Sequence, residues 1–345
     1  MEQMDTAGGS REDRPRLAVA SLGGTITMTA TSGGSAVTPS LSAADILQAV
    51  PDLDRVADLD ATTLLTRPGA WLTPTDVAAV AAWARDQAAD GIVVVQGTDT
   101  IEETAYLLDL LWDRPEPLVV TGAMRAAAAA GADGPANLLA AAVVAAAPAS
   151  RDRGALVVLN DAVHAASRVR KTDSVAMHAF SSGAFGPVGR VHEGTVTFAG
   201  SPSRWAALPA PQAGRDPRVA LLETHLGDRG ELLRLVAADG WDGIVLAGFG
   251  VGHVSAQSAE AVGEVAARCP VVLASRTGDG PVLSRTYGFV GSEQDLLARG
   301  VIPAGWLDAR KARLLLWALL AAGTDPAEVR AAVEARGAAP SGPMG

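Results

Sequence analysis

The sequence predicts an α/β protein with a larger N-terminal domain on a mostly parallel sheet and a smaller C-terminal α/β domain. Three observations predict it. Short β-branched runs alternate with longer helix-like runs along the chain. Its 345 residues suit two domains at roughly 100–200 residues each. The stretch Ala207–Pro217 holds three prolines and no periodicity, the signature of a linker. The expected division is a disordered leader at 1–16, an N-terminal domain at 17–206 and a C-terminal domain at 218–345.

The elements follow from local pattern. Leu17–Ser21 is an apolar run stopped by Gly23-Gly24, which predicts a buried strand and a sharp turn. Ala43–Val50 and Thr75–Ala88 carry apolar residues at helical spacing. Ile92–Gln96 is a strand, and Thr100 and Glu103 have the spacing of a capping box for a helix over Ile101–Trp112. Strands at Leu118–Thr121 and Ala155–Asn160 flank a helix at Asn137–Ala147. In the C-terminal part, strands at Val219–Leu222, Ile244–Ala247 and Val271–Ala274 alternate with helices at Gly230–Ala238 and Ser255–Arg268. Helices over Ala309–Ala322 and Pro326–Arg336 close the chain.

Composition narrows the function. Hydrophobic residues make up 48 % and charged residues 19 %, enough to bury a sizeable core. A net charge of −10 argues against nucleic acid as a partner. One cysteine, Cys269, excludes an internal disulfide framework and a cysteine-built zinc site. The alanine-rich runs are too short to span a bilayer, and Met1–Arg16 lacks the apolar core of a signal peptide. The expectation is a cytoplasmic protein with no membrane partner.

Ligands of parallel sheets bind beyond the carboxyl ends of strands. Two such ends carry unusual residues. In Gly23-Gly24-Thr25 the glycines allow close backbone approach, and Thr25 is a nucleophile if its proton has an acceptor; an ordinary turn with a threonine cap explains the same residues. In Gly97-Thr98-Asp99-Thr100, Asp99 suits a substrate ammonium and Thr98 a water, although both also serve a plain turn. A third segment is Arg168-Val169-Arg170-Lys171. Among 28 basic residues only Lys171 and Lys311 are lysines. Lysine, unlike arginine, loses its proton when desolvated or set near positive charge, which Arg168 or Arg170 would supply; the alternative is a solvated surface lysine. No two histidines have metal-site spacing.

Taken in order from about Leu17 to Val333, these segments resemble the bacterial-type L-asparaginases. The resemblance rests on Gly23-Gly24-Thr25-Ile26, on Gly97-Thr98-Asp99-Thr100 with Glu102-Glu103-Thr104-Ala105-Tyr106, and on Gly122-Ala123-Met124-Arg125. It continues through Ala132-Asp133-Gly134-Pro135, Asn160-Asp161, Lys171-Thr172, Gly186-Pro187-Val188-Gly189, Thr286-Tyr287-Gly288-Phe289 and Lys311-Ala312-Arg313. It implies hydrolysis of asparagine to aspartate and ammonia without metal or cofactor, through an acyl-enzyme on Thr25. Thr98, Asp99 and Lys171 match the second catalytic group. Gly69, Ala70, Thr98, Asp99 and Ala123 match substrate-binding segments. His253 matches a position that reaches the site of a neighbouring subunit, in a homo-oligomer built as a dimer of dimers.

Three departures stand out. The loop Thr27–Leu41, where the family often has a tyrosine, has none. Its hydroxyls are Thr27, Thr29, Thr31, Ser32, Ser35, Thr38 and Ser40. Pro281 stands where a supporting glutamate is common, and Arg67-Pro68-Gly69-Ala70 replaces a loop that commonly carries Ser and Gln. The competing readings are hydrolysis of another amide (glutamine or a substituted asparagine), an ammonia-releasing amidotransferase subunit, and a catalytically silent amino-acid sensor.

Overall fold

In the computed structural model, residues 14–24, 28–30, 37–39, 42–202 and 204–339 are described. The N-terminal part runs β1 (Arg16–Ser21), β2 (Met28–Ala30), β3 (Val37–Pro39), α1 (Ala43–Gln48), β4 (Asp58–Thr63), α2 (Pro74–Arg85), β5 (Gly91–Val95) and α3 (Ile101–Leu111). It continues with β6 (Leu118–Thr121), α4 (Gly134–Ala146), β7 (Ala155–Leu159), β8 (Ala162–Ala165), β9 (Arg170–Lys171), β10 (Phe180–Ser181), β11 (Gly189–His192) and β12 (Thr195–Phe198). The C-terminal part comprises β13 (Val219–Glu223), α5 (Glu231–Ala238), β14 (Gly243–Gly248), α6 (Ala256–Ala266), β15 (Val271–Ser275), α7 (Glu293–Ala298), β16 (Ile302–Pro303), α8 (Ala309–Ala321) and α9 (Pro326–Gly337).

The large sheet has the order β12-β11-β8-β7-β6-β5-β1-β4. From β4 to β7 the pairs are parallel, and from β7 to β12 they are antiparallel. Strands β5, β6 and β7 are buried along their whole length. They read as unbroken runs of Val, Leu and Ile because helices cover both faces. The turn from β7 to β8 passes through Asn160 and Asp161, both at positive φ (51° and 58°), as a tight hairpin requires. The smaller sheet, β13-β14-β15-β16, is wholly parallel.

The sequence pattern does not predict strand β4. It is an edge strand whose Asp58 and Asp60 have low β propensity, and it pairs with β1 in register from Arg16↔Asp58 to Ser21↔Thr63. One apolar core extends from Ile92, Val94, Leu107 and Leu108 through Leu315 and Trp317 of α8 to Val245 and Val272 of the smaller sheet. Helix α8 therefore packs against α3 on one side and the smaller sheet on the other. Residues 207–217 form no helix or strand and lie over both helices: Leu208 N–H donates to Leu110 C=O (2.7 Å) and Gln212 N–H to Ala321 C=O (2.9 Å). Among the described residues, no helix is long and apolar enough to cross a membrane.

Candidate active site

The site forms where the carboxyl ends of β1 and β5 meet. After β1 the chain turns through Gly23 (φ 99°) and Gly24 (φ 91°). A Cβ on Gly24 would fall 2.0 Å from the Gly97 nitrogen, and one on Gly23 would fall 2.6 Å from the Arg67 nitrogen. Only glycine allows the three loops carrying Gly24, Arg67 and Gly97 to approach so closely. Thr25, the expected nucleophile, lies outside the described residues, as do Thr27, Thr31, Ser32, Ser35 and Ser40. Thr29 and Thr38 are register partners in the antiparallel β2–β3 pair.

After β5, Thr98 is 5 % exposed and Asp99 has a side chain 66 % exposed. Lys171, on β9, brings its Nζ to 2.9 Å from Thr98 Oγ1 and 3.1 Å from Asp99 Oδ1. A lysine more than 70 positions along the chain thus joins two neighbouring turn residues in one polar cluster. The Lys171–Thr98 hydrogen bond is a path for a proton. The exposed Asp99 carboxylate retains capacity to accept from a substrate ammonium.

The capping expected at Thr100 does not form. Helix α3 does begin at Ile101, but Thr100 makes no side-chain cap. Its hydroxyl donates to Gly69 C=O (3.0 Å) and accepts from Gln96 Nε2 (3.2 Å), which ties the Gly69 loop to the β5 turn. The expected positive neighbours of Lys171 also turn elsewhere. Arg170 bonds Gly278 C=O, and Arg168 stacks on Phe185 (4.2 Å) with Nη1 3.4 Å from Trp306 C=O. Among the described residues, the polar partners at the Lys171 ammonium are the hydroxyl and the carboxylate.

Ala123 is fully buried in the turn after β6. A network fixes that turn: Asn137 Nδ2 donates to Gly122 C=O (2.9 Å), and the Met124 and Arg125 amides donate to the Asp133 carboxylate (2.8 and 2.9 Å). Asn137 Oδ1 accepts from Asn160 N–H (2.9 Å), linking this turn to the next strand end. In the Gly69-Ala70 loop, Gly69 is buried, and the Arg67 guanidinium already meets Asp76 at 3.2 Å. His253 stands apart from this cluster. Its Nε2 is 3.1 Å from the buried Glu293 carboxylate, and its ring packs edge-on against Tyr287 and Phe289. Burial opposes ionisation of Glu293, but the amides of Tyr287 and Thr286 and the His253 side chain together hold its carboxyl below the ordinary range.

Sequence reasoning does not single out Glu102 by itself. The residue is 4 % exposed, and its Oε2 accepts the Lys171 backbone N–H at 2.5 Å. The one hint is a second acidic residue in the first turn of α3, which a helix dipole alone would also favour. Among the described residues, no group of three or more His, Cys, Asp or Glu side chains is placed to hold a metal ion.

The sequence matches the family model described as asparaginase, N-terminal, over residues 16–204, and the glutaminase/asparaginase C-terminal domain over residues 218–333. It is 36 % identical to a probable L-asparaginase of Deinococcus radiodurans, over 92 % of this chain and 96 % of that protein. To L-asparaginase 2 of Escherichia coli it is 31 % identical, over 92 % of each. The solved structure of a probable cytoplasmic L-asparaginase from Campylobacter jejuni superposes with a TM-score of 0.83 at 29 % identity, covering 93 % of this chain and 99 % of that one. The two-domain architecture and matches spanning both halves agree, and the chain belongs to the asparaginase family.

Proposed function

We propose that this protein hydrolyses the side-chain amide of L-asparagine to L-aspartate and ammonia, with Thr25 as nucleophile and Thr98, Asp99 and Lys171 as its second catalytic group. The observation that carries the reading is the cluster in which one lysine nitrogen meets both Thr98 and Asp99 at hydrogen-bond distance. In the first step the Thr25 oxygen adds to the amide carbon and gives up its proton. The C–N bond breaks, nitrogen takes that proton and leaves as ammonia, and an ester remains on Thr25. In the second step a water oxygen adds to the ester, its proton returns to the Thr25 oxygen, and aspartate departs. Lys171 and Thr98 relay protons, Asp99 holds the substrate ammonium, and the buried turn at Ala123 borders the developing oxyanion.

With Arg67 engaged by Asp76, the substrate carboxylate falls to the backbone around Gly69 and Ala70. A hydroxyl in Thr27–Thr38, or else a water held by one, takes the place of the absent loop tyrosine. The division at 207–217 separates a nucleophile domain from a domain that serves a neighbour's site. His253 is the residue presented to that neighbour, in a homotetramer of paired dimers. Tyr287 (43 % exposed), Phe289 (51 %) and Val290 (54 %) support this, since they form an apolar patch beside His253. The reading includes a cytoplasmic location, as in the name of the Campylobacter jejuni protein.

The test is ammonia release by the purified protein on L-asparagine, L-glutamine and a substituted asparagine. Mass spectrometry of quenched reactions accompanies it. Asparagine should be the best substrate, and the acyl mass should sit on the peptide containing Thr25. A folded Thr25→Ala protein should lose turnover by several orders of magnitude; near-normal ammonia release from it would reject the nucleophile. Light scattering should give a tetramer, and an active monomer at assay concentration would reject the shared site.

A further inference from the structure

Strand β9 consists of two residues and, among the described residues, pairs only with the two-residue β10. So short a pair is too weak to fix a side chain by itself. Yet the four residues that end at Lys171 are each bonded to something outside the strand. Arg168 reaches Trp306 C=O, and Arg170 reaches Gly278 C=O. Val169 C=O accepts from Lys311 Nζ at 2.6 Å, and Lys171 N–H donates to Glu102 Oε2 at 2.5 Å. Lys311 is 1 % exposed and also meets Asp308 Oδ2 at 2.9 Å. Asp308 caps α8 through the amides of Arg310 and Lys311. Arg310 in turn lies 3.4 Å from the other Glu102 oxygen.

Burying a carboxylate and an ammonium beside backbone groups is costly unless every bond is made. Here both charges are directed at the same short segment: one holds the carbonyl two residues before Lys171, the other the amide of Lys171 itself. We infer that Glu102 and Lys311 are positioning residues that clamp the Lys171 backbone between α3 and α8 and so fix Nζ at its distances from Thr98 and Asp99. The inference rests on the proposed role of Lys171. It adds that the N-terminal end of a C-terminal-domain helix sets the geometry of a site in the other domain. Both clamping side chains bond backbone groups, so their influence on Thr98 and Asp99 passes through the lysine main chain.

The experiment compares full-length wild type with Glu102→Ala, Glu102→Gln and the double variant Asp308→Asn/Lys311→Met, which removes the buried ion pair as a unit. Turnover of L-asparagine is measured across pH, with circular dichroism and thermal unfolding as fold controls. Glu102→Ala should lower kcat about tenfold or more with KM within about twofold, since the interaction aligns a reacting group and does not bind substrate. The kcat pH profile should shift, because the Lys171–Asp99 distance changes. Glu102→Gln retains an acceptor for the Lys171 amide and should recover much of the loss. The double variant, if folded, should resemble Glu102→Ala; if it does not fold, the two Glu102 variants decide.

A folded Glu102→Ala protein with wild-type kcat and an unchanged pH profile would overturn the clamp. So would equal losses in the Ala and Gln variants that merely track lost thermal stability. A Lys171→Met protein that keeps full activity would instead overturn the reading of the site, so the two failures are distinguishable.

Discussion

The chain's two lysines occupy sites of opposite character. Lys171 has a side chain 17 % exposed and bonds a carboxylate that is itself 66 % exposed. Lys311 is sealed at 1 % exposure among Val169 C=O, Asp308 and the apolar core of α8. Asp308 is buried, which opposes its ionisation, but the Lys311 charge and hydrogen bonds hold its carboxyl below the ordinary range. The same functional group thus meets one partner that stays exposed to solvent and, at the second position, partners that are themselves buried. Scarcity of lysine draws attention to both positions; burial and partner geometry distinguish them.

The largest effect that would break this contrast is on activity. Lys171→Met should lower turnover by about 10³-fold or more while the fold and the unfolding midpoint stay near wild type. Lys171→Arg separates two versions of the role. If the lysine gives and takes a proton, arginine should fail as methionine does, because its proton is not released in this range. Substantial rescue by arginine would reduce Lys171 to a fixed charge holding Thr98 and Asp99.

The next effect is on stability. Lys311→Met should cost about 3–5 kcal/mol by denaturant unfolding, because it leaves Asp308 buried without its ion partner and Val169 C=O without a donor. Asp308→Asn/Lys311→Met should cost less than the single change. If Lys311→Met were within about 1 kcal/mol of wild type, the buried lysine would not be holding these elements together.

Much of the fold is legible in the sequence, and the reason is local. The central strands β5, β6 and β7 announce themselves as unbroken apolar runs because both faces are covered. The edge strand β4 and the four-residue strands β8, β11 and β12 carry no such run, since much of their stability comes from a neighbour. The site divides in the same way. Gly97-Thr98-Asp99 stands as a motif, and the glycine-rich turn after β1 follows from backbone crowding. The clamp does not stand as a motif: Lys171 and Glu102 are 69 residues apart, Lys311 and Val169 are 142 apart, and each bond engages a backbone group that carries no residue identity. For the same reason Thr100, read as a helix cap, proves to be a strut to the Gly69 loop 31 residues earlier.

The smallest expected effect sharpens the contrast between a buried charge with an ionic partner and a buried titratable group without one. His164 on β8 is 3 % exposed, and its Nδ1 lies 2.8 Å from Ser182 Oγ. Burial, reinforced by the Arg190 charge, pushes its pKa down to about 4 from an ordinary 6.5. As pH falls through 6.5 the unfolded chain takes up a proton that the folded protein refuses until about pH 4, so stability declines across that window. Asp308 adds slope only at the acid end of that window, because a carboxylate with a lowered pKa begins to lose its contribution as pH nears its unfolded value of 3.8. Asp109 acts in the opposite direction. Burial raises its carboxyl to about 6, so stability rises as pH falls from 6 towards 3.8 and masks part of the histidine effect in the wild type. The measurement is therefore a difference: the unfolding free energy of His164→Gln minus that of wild type, at pH 7.5 and at pH 4.5. Glutamine removes the titration while retaining a group able to bond Ser182. The variant should gain on the wild type by on the order of 1–3 kcal/mol between the two pH values. A difference that stays constant would show that His164 takes up its proton equally in both states, and that burial beside Ser182 does not exclude the charged ring.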